Sequence, residues 1–89
     1  MQVQARHILV KTPEEMADIQ QRLAAGEEFS SLASQFSECP SKAKGGDLGT
    51  FGPGQMVKPF EDLAFALPVG AIGGPVQTQF GFHMIQRTA

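Results

Sequence analysis

Tryptophan and tyrosine are absent from this chain of 89 residues, and it has only one cysteine, Cys39. A single cysteine excludes an internal disulfide bond and offers no Cys-x-x-Cys spacing for zinc. The formal charge of -2 at pH 7 leaves no excess of basic residues of the kind that nucleic-acid-binding domains carry. The composition therefore argues against a disulfide scaffold, a zinc finger and a nucleic-acid-binding protein.

Long apolar runs are also missing. No stretch approaches the roughly 18 apolar residues that a membrane-spanning helix needs, and residues 1–6 do not have the pattern of a signal peptide. The chain is 42% hydrophobic and 18% charged, which is typical of one compact domain. We therefore expect residues 1–89 to fold as a single domain without a cofactor. We also expect a monomer, because the polar faces of the predicted elements leave no obvious apolar patch.

In two stretches the side chains are expected to point alternately to opposite faces, as in β-strands. They are residues 3–10 and 82–87, and each holds a histidine near its middle, His7 and His83. Shorter strands are expected at 48–51 and 76–78, the second of them after a break at the Gly-Gly-Pro sequence of residues 73–75. This order of elements predicts an α+β fold with a small antiparallel sheet.

Three helices are expected between these strands. Thr12 and Glu15 form the capping-box pattern that starts the first helix, and Gly26 ends it. A third helix is expected from about residue 58 to residue 66. The second helix carries an apolar stripe without gaps, and both aromatic rings of that stripe are expected in the core. The stripe consists of Phe29, Leu32, Ala33 and Phe36.

The stretch from residue 45 to residue 60 is rich in glycine and proline. Its Pro53-Gly54 sequence is the central pair that a type II turn requires. Met56 and Phe60 follow this turn and are four residues apart. We expect them on one face of a helix that begins here, where a thioether and an aromatic ring would form a small apolar pocket.

His7, Cys39 and His83 are the only histidines and the only cysteine, and they permit three interpretations. A thiol hydrolase would need a histidine in reach of Cys39, an oxyanion hole and an orienting group, which the sequence does not supply recognisably. A zinc site would need paired ligand spacing, so no metal is expected. The third interpretation is a polar, hydrogen-bonded group that lies under an apolar groove.

Five segments, spread over nearly the whole chain, form a specific pattern. They are ARHILV (5–10), FSECPS (36–41), GGDLG (45–49), GQMVKPF (54–60) and QFGFHMI (79–85). In this order and at these separations they resemble the parvulin family of peptidyl-prolyl cis/trans isomerases. The resemblance implies a parvulin-like, FKBP-like α+β fold with a four-stranded antiparallel sheet. In that fold the two histidines lie on neighbouring central strands, and three longer helices and one short helix wrap the sheet.

The resemblance also implies a set of site residues. His7, Cys39, Thr78 and His83 would form the polar group, while Leu48, Met56 and Phe60 would form the proline pocket and Val57 and Phe80 its rim. The implied activity is rotation about Xaa-Pro bonds. Because this rotation makes and breaks no bond, our hypothesis is that the four polar residues hold one another in fixed tautomers and that no covalent intermediate forms. A non-catalytic peptide-binding or chaperone domain of a larger folding factor is the alternative.

The loop after the first strand bears on the substrate. It contains Lys11, Glu14 and Glu15, whereas a phosphate before proline would require a cluster of basic residues. We therefore expect phosphate-independent substrates with an apolar residue before proline. The expected partners are proline-containing peptides and unfolded or partly folded proteins. The expected location is the cytoplasm for a free-standing protein and outside it for a domain of a larger folding factor.

Overall fold

The computed structural model describes residues 1–89 and contains one antiparallel sheet with helices on both faces. The strand order is β2-β1-β4-β3, and every neighbouring pair is antiparallel. This architecture confirms the fold that the resemblance implies. In chain order the elements are β1 (Val3–Val10), α1 (Pro13–Ala24), α2 (Phe29–Phe36), a 3-10 helix (Pro40–Lys44), β2 (Asp47–Phe51), α3 (Lys58–Ala66), β3 (Ile72–Thr78) and β4 (Gly81–Arg87).

The two central strands carry the two histidines. β1 and β4 pair over six consecutive residues, with His7 opposite Ile85 and Leu9 opposite His83. Because side chains alternate along a strand, all four of these residues point to the same face of the sheet. His7 and His83 are therefore diagonal neighbours, although 76 positions separate them in the chain.

A separate apolar core lies on each face of the sheet. The first core joins the sheet to α1 and α2, and the second joins it to α3. The histidines project to the face that α3 covers. The first core contains Ile8, Val10, Met16, Ile19, Phe29, Leu32, Ala33 and Met84, and the second contains Val3, Ala5, Phe51, Phe60, Ala64 and Ile85.

The helix boundaries confirm most of the predicted capping signals. Thr12 is the N-cap of α1, where its hydroxyl oxygen accepts from the Glu15 N–H at 3.1 Å and its hydroxyl donates to the Glu15 carboxylate at 3.0 Å. The expectation that Phe36 is a core residue was wrong, because its side chain is 36% exposed. Phe36 is the last residue of α2, and its ring lies under the Arg22 guanidinium, 5.0 Å from the ring centroid.

The predicted type II turn is present, and the helix after it covers the residues expected from the sequence, but Met56 is not part of it. Gly54 has φ +85°, and the Gln55 N–H donates to the Gly52 carbonyl at 3.4 Å. Helix α3 starts at Lys58 with Val57 as its N-cap. Met56 therefore lies in the connecting loop, so the prediction that Met56 shares a helix face with Phe60 was wrong.

The expected break before the third strand was also wrong, because the Gly-Gly-Pro sequence lies inside β3. The strand runs from Ile72 to Thr78 and pairs with β4 at both ends. Between Gly73 and Val76 the register shifts, so the glycines and proline interrupt the ladder without ending the strand.

No helix of the structure has the length and apolar character needed to cross a membrane. No group of three or more histidine, cysteine or acidic side chains is arranged to hold a metal ion.

Candidate active site

A groove with a volume of about 640 Å³ lies on the face of the sheet that α3 covers. Its walls combine side chains of β1, β2, β4 and α3 with those of the loops that precede the 3-10 helix and α3. Of the nine residues that the resemblance assigned to the site, eight line this groove: His7, Cys39, Leu48, Met56, Val57, Phe60, Phe80 and His83. The ninth, Thr78, lies behind His83.

The two histidines form a hydrogen-bonded pair at the floor of the groove. Their Nδ1 atoms are 3.0 Å apart, and their rings are nearly parallel, with an angle of 18° between the planes. His7 is 5% exposed and His83 is 4% exposed. A hydrogen bond between two Nδ1 atoms requires one to donate and the other to accept, so the pair holds together only while at least one ring is neutral.

Thr78 extends this pair into a chain of three groups. Its hydroxyl oxygen lies 2.7 Å from His83 Nε2 and also accepts from the Phe80 N–H at 3.2 Å. With neutral rings, the protons run either from Thr78 through His83 to His7 or in the opposite direction. In both cases His7 Nε2 stays buried without a hydrogen-bond partner in the protein.

The environment of the pair favours uncharged rings. Burial, assisted by the nearby His83, lowers the pKa of His7 from 6.5 to about 4. Burial also lowers the pKa of His83. The ion pairs of the structure involve neither histidine, so no carboxylate offsets this burial. The floor of the groove is therefore polar but neutral near pH 7.

Phe60 separates the histidine pair from the apolar core. Its ring meets the rings of His7 and His83 edge to face, with centroid distances of 5.5 and 5.4 Å. It is 3% exposed and also packs against Phe51 at a centroid distance of 6.2 Å. Helix α3 places it in its first turn, where Pro59 is tolerated because the first helical N–H groups have no helical acceptor.

Cys39 lies beside the histidines but outside their hydrogen-bond chain. It is the N-cap of the 3-10 helix and is partly exposed, and its backbone N–H approaches Ser37 Oγ at 3.4 Å. The thiol makes no hydrogen bond with His7 or His83, in contrast to the mutual hydrogen bonding expected from the sequence. This geometry also lacks the base that a thiol nucleophile would need.

Two side chains hold the turn that precedes Met56. Gln55 Oε1 accepts from the Gly52 N–H, and Glu61 Oε1 accepts from the Gly54 N–H, both at 2.6 Å. These bonds fasten the turn to itself and to α3. The loop that carries Met56 is therefore held in place although it has no regular secondary structure.

Sequence reasoning missed five groove residues. The alternation of β1 places Leu9 on the same face as His7, so this residue was within reach of the strand pattern. Three of the others belong to loops and the fourth begins the 3-10 helix, and only the folded chain defines the course of these segments. The five residues are Leu9, Lys11, Glu38, Pro40 and Gln55.

Comparison with known proteins identifies the family. The profile of the rotamase family, described as the PPIC-type PPIase domain, matches residues 7–89. The chain belongs to this family. It is a parvulin-type peptidyl-prolyl isomerase domain.

Both larger and smaller relatives contain this parvulin domain. Foldase protein PrsA 4 of Bacillus cereus is 51% identical over 87 residues, which are 97% of this chain and 31% of that protein. A crystal structure of peptidylprolyl isomerase (PrsA) from Bacillus cereus has a TM-score of 0.94 and 49% identity, and the match covers 99% of this chain and 34% of that one. The parvulin domain thus spans about a third of the length of these relatives.

The solution structure of NmPin, the parvuline of Nitrosopumilus maritimus, represents the smaller relatives. Its TM-score is 0.86 at 43% identity, and the match covers 99% of this chain and 96% of that one. The same parvulin domain therefore occurs both as part of longer proteins and as nearly the whole of a small one.

Proposed function

We propose that this parvulin domain accelerates rotation about Xaa-Pro peptide bonds by binding, without a covalent intermediate. The observation that carries the proposal is the combination of an apolar groove with a buried, neutral histidine pair at its floor. A groove of this kind suits an apolar ring beside a carbonyl group, which is what an Xaa-Pro bond presents.

The reaction needs no nucleophile. An Xaa-Pro bond rotates slowly because the twisted amide lies about 20 kcal/mol above the planar one, but no bond is made or broken on the way. A catalyst has only to bind the twisted amide better than the planar one. Since each 1.36 kcal/mol changes the rate tenfold, roughly 5 kcal/mol of such preference would give several thousandfold.

In the proposed arrangement the apolar side chains hold the proline ring while the preceding carbonyl swings. Leu48, Met56 and Phe60 form the ring pocket, because methionine adapts its shape and phenylalanine supplies a flat wall. Val57 and Phe80 form the rim, and the 50% exposure of Phe80 suits a residue that a bound peptide would cover.

The polar residues have a different role in the proposal. His7, His83 and Thr78 hold one another in a defined protonation pattern, which keeps the floor uncharged and its dipoles fixed. Cys39, which makes no hydrogen bond with the histidines, lines the wall and contributes to the field at the carbonyl without forming a bond. We expect Cys39→Ser to keep its exchange rate within about tenfold of the wild type. A folded Cys39→Ser protein without any activity would contradict the non-covalent mechanism.

We infer that the substrates do not require a phosphate and carry an apolar residue before proline. The charged residues that line the groove are Lys11 and Glu38, whose charges are opposite. A phosphate carries up to two negative charges and is bound by clusters of arginine, which the groove lacks. An uncharged, apolar neighbour costs the least to bring into such a site.

The role of the whole protein is inferred from its relatives. Similarity to proteins named foldases supports clients that are proline-containing peptides and unfolded or partly folded proteins. We propose that residues 1–89 form one folding domain and that the domain is monomeric. A free-standing parvulin would act in the cytoplasm, whereas a domain of a longer foldase would act outside it.

The test is cis/trans exchange measured by NMR on a short peptide that contains Leu-Pro, with and without a small amount of protein. We expect faster exchange, and a faster rate for Leu-Pro than for glutamate-Pro or phosphoserine-Pro. If the peptide binds but its exchange stays slow, the domain is a non-catalytic peptide-binding module. If phosphoserine-Pro ranks first, the inferred substrate class is wrong.

A further inference from the structure

The side-chain amide of Gln55 is held in one orientation. Its contact with the protein is a hydrogen bond of 2.6 Å with the Gly52 N–H, which is a donor. A glutamine amide has one acceptor oxygen and one donor NH₂ group, so the oxygen must face Gly52. The Nε2 group, with two N–H bonds, is then left without a hydrogen-bond partner within the protein.

This donor stands at the edge of the proline groove. Gln55 lines the groove and directly precedes Met56. Its loop is fastened a second time by the bond from the Gly54 N–H to Glu61, also 2.6 Å long. Both bonds restrict the loop and the exposed Gln55 side chain before a ligand binds, which reduces the entropy cost of a hydrogen bond formed here.

A peptide offers a particular pattern of groups at proline. Proline has no N–H, so the main chain at that residue presents acceptors and no donor. Leu48, Met56 and Phe60 can surround the ring, but they cannot pair with a carbonyl oxygen. A carbonyl oxygen that enters the groove loses its hydrogen bonds to water. Without a new donor, this desolvation weakens binding. A neutral donor beside the ring pocket fits this need.

We propose that Gln55 donates a hydrogen bond from Nε2 to the backbone carbonyl of the bound proline itself, which makes it a specificity-determining residue for proline-containing main chains. This inference rests on the proposed function of the groove. Because the contact is made to the main chain, it is independent of the side chains that flank proline. The carbonyl of proline does not move in the rotation of the preceding Xaa-Pro bond while the ring is held, so the contact forms in both the cis and the trans complex and contributes to binding, not to the chemical step.

Two substitutions separate this role from the fastening of the turn. Gln55→Glu keeps an oxygen for the Gly52 N–H but removes the NH₂ donor, and Gln55→Met removes both. A matched control is Gln20→Glu, which adds the same charge on the exposed surface of α1, outside the groove. Exchange is measured on an uncharged Leu-Pro peptide in about 0.5 M salt, which screens the added charge beyond a few ångströms.

We expect KM for the peptide to rise roughly three- to tenfold in both Gln55→Glu and Gln55→Met, with kcat unchanged. Gln20→Glu should behave as the wild type. A normal KM in Gln55→Glu with a raised KM in Gln55→Met would overturn the proposal, because Gln55 would then only fasten the turn.

The NH₂ resonances of Gln55 give a second measurement that does not depend on catalysis. We expect them to shift during titration with the Leu-Pro peptide, and to reach a plateau together with the signals of Met56. If the Met56 signals saturate while the Gln55 NH₂ signals stay in place, the proposed contact does not exist. A wild-type protein that binds the peptide without accelerating its exchange would end the proposed isomerase function, and Kd would then replace KM in the comparison.

Discussion

Met56 and Phe60 line the same groove, but the structure predicts different effects when each is removed. Met56 lies in a loop and is half-buried, whereas Phe60 is 3% exposed and contacts Phe51 and both histidines. We expect Met56→Ala to lower kcat/KM about tenfold and to cost about 1 kcal/mol of stability. Phe60→Ala should lower the free energy of unfolding by about 3–5 kcal/mol.

The measurement combines urea unfolding with the NMR exchange assay. Phe60→Ala alone would not test the pocket, because lost activity could follow from lost structure. Met56→Ala can separate loss of the pocket from loss of structure, because it is expected to leave the protein folded. Unchanged kcat/KM in folded Met56→Ala would remove Met56 from the ring pocket.

The buried histidine pair makes stability depend on pH. The pKa of His7 is about 4 in the folded state, against an ordinary value of 6.5 in the unfolded chain. Between these values the unfolded chain binds a proton that the folded protein does not, so stability falls as the pH drops from about 6.5 to about 4. The contribution of neutral His7 to the free energy of unfolding is fully present above pH 6.5. We expect about 3 kcal/mol of it to be lost between pH 6.5 and pH 4.

Urea unfolding at several pH values measures this loss, and NMR titration of the His7 ring protons identifies its source. We expect the His7 signals to stay at their neutral positions at pH 5. A His7 that titrates near 6.5 in the folded protein would contradict the prediction, as would a free energy of unfolding that does not change between pH 7 and pH 5.

Among the elements, α1 offers a clean test of local structure. Thr12 caps the helix by accepting from the Glu15 N–H, and the helix packs on the face of the sheet opposite to the groove. We expect Thr12→Ala to lower the free energy of unfolding by about 1 kcal/mol, because the first helical N–H groups lose an acceptor. Activity at a temperature well below the unfolding transition should not change.

Thr12→Ser is the matched control, since serine keeps the capping oxygen and should retain most of the stability. Equal losses in the alanine and serine variants would mean that the methyl group and not the cap is responsible. Lost activity in a folded Thr12→Ala protein would show that α1 and the groove are coupled through the sheet.

The central strands are the elements that create the site. β1 and β4 bring His7 and His83 together through an uninterrupted ladder of six residue pairs. A shift of one residue in this register would turn one histidine to the other face of the sheet. The groove therefore depends on the strand pairing as much as on the residues that line it.

At the scale of the whole molecule, the dimensions agree with one compact unit. The radius of gyration of 11.7 Å is close to the roughly 12 Å expected for a compact chain of this length. We expect a single unfolding transition in urea and a monomer by sedimentation equilibrium. Because the chain has neither tryptophan nor tyrosine, far-UV circular dichroism and NMR are the suitable probes.

Transitions that differ between the two probes would show that residues 1–89 do not unfold as one unit. A dimer would contradict the predicted monomer and would direct attention to the exposed apolar side chains of Val69 and Ile72.

Features that depend on near neighbours were predictable from the sequence. The strand at residues 3–10, the Thr12 cap and the Pro53-Gly54 turn all follow from side-chain period, capping chemistry and backbone preference within a few residues. The family pattern added the four-stranded antiparallel sheet with the two histidine strands as its central neighbours. Phe36 shows the limit of this approach, because its stripe position is correct for the core and yet its ring lies at the surface under Arg22.

The sequence by itself determined the local elements, the family and the residue types available to the groove. Only the tertiary structure decided that the Nδ1 atoms of His7 and His83 meet at 3.0 Å, that the Cys39 thiol stays outside their hydrogen-bond chain and that the Gln55 amide has one free donor. The physical reason is that a hydrogen bond depends on distances of a few tenths of an ångström. Those distances are set by strand register and loop course among residues far apart in the chain.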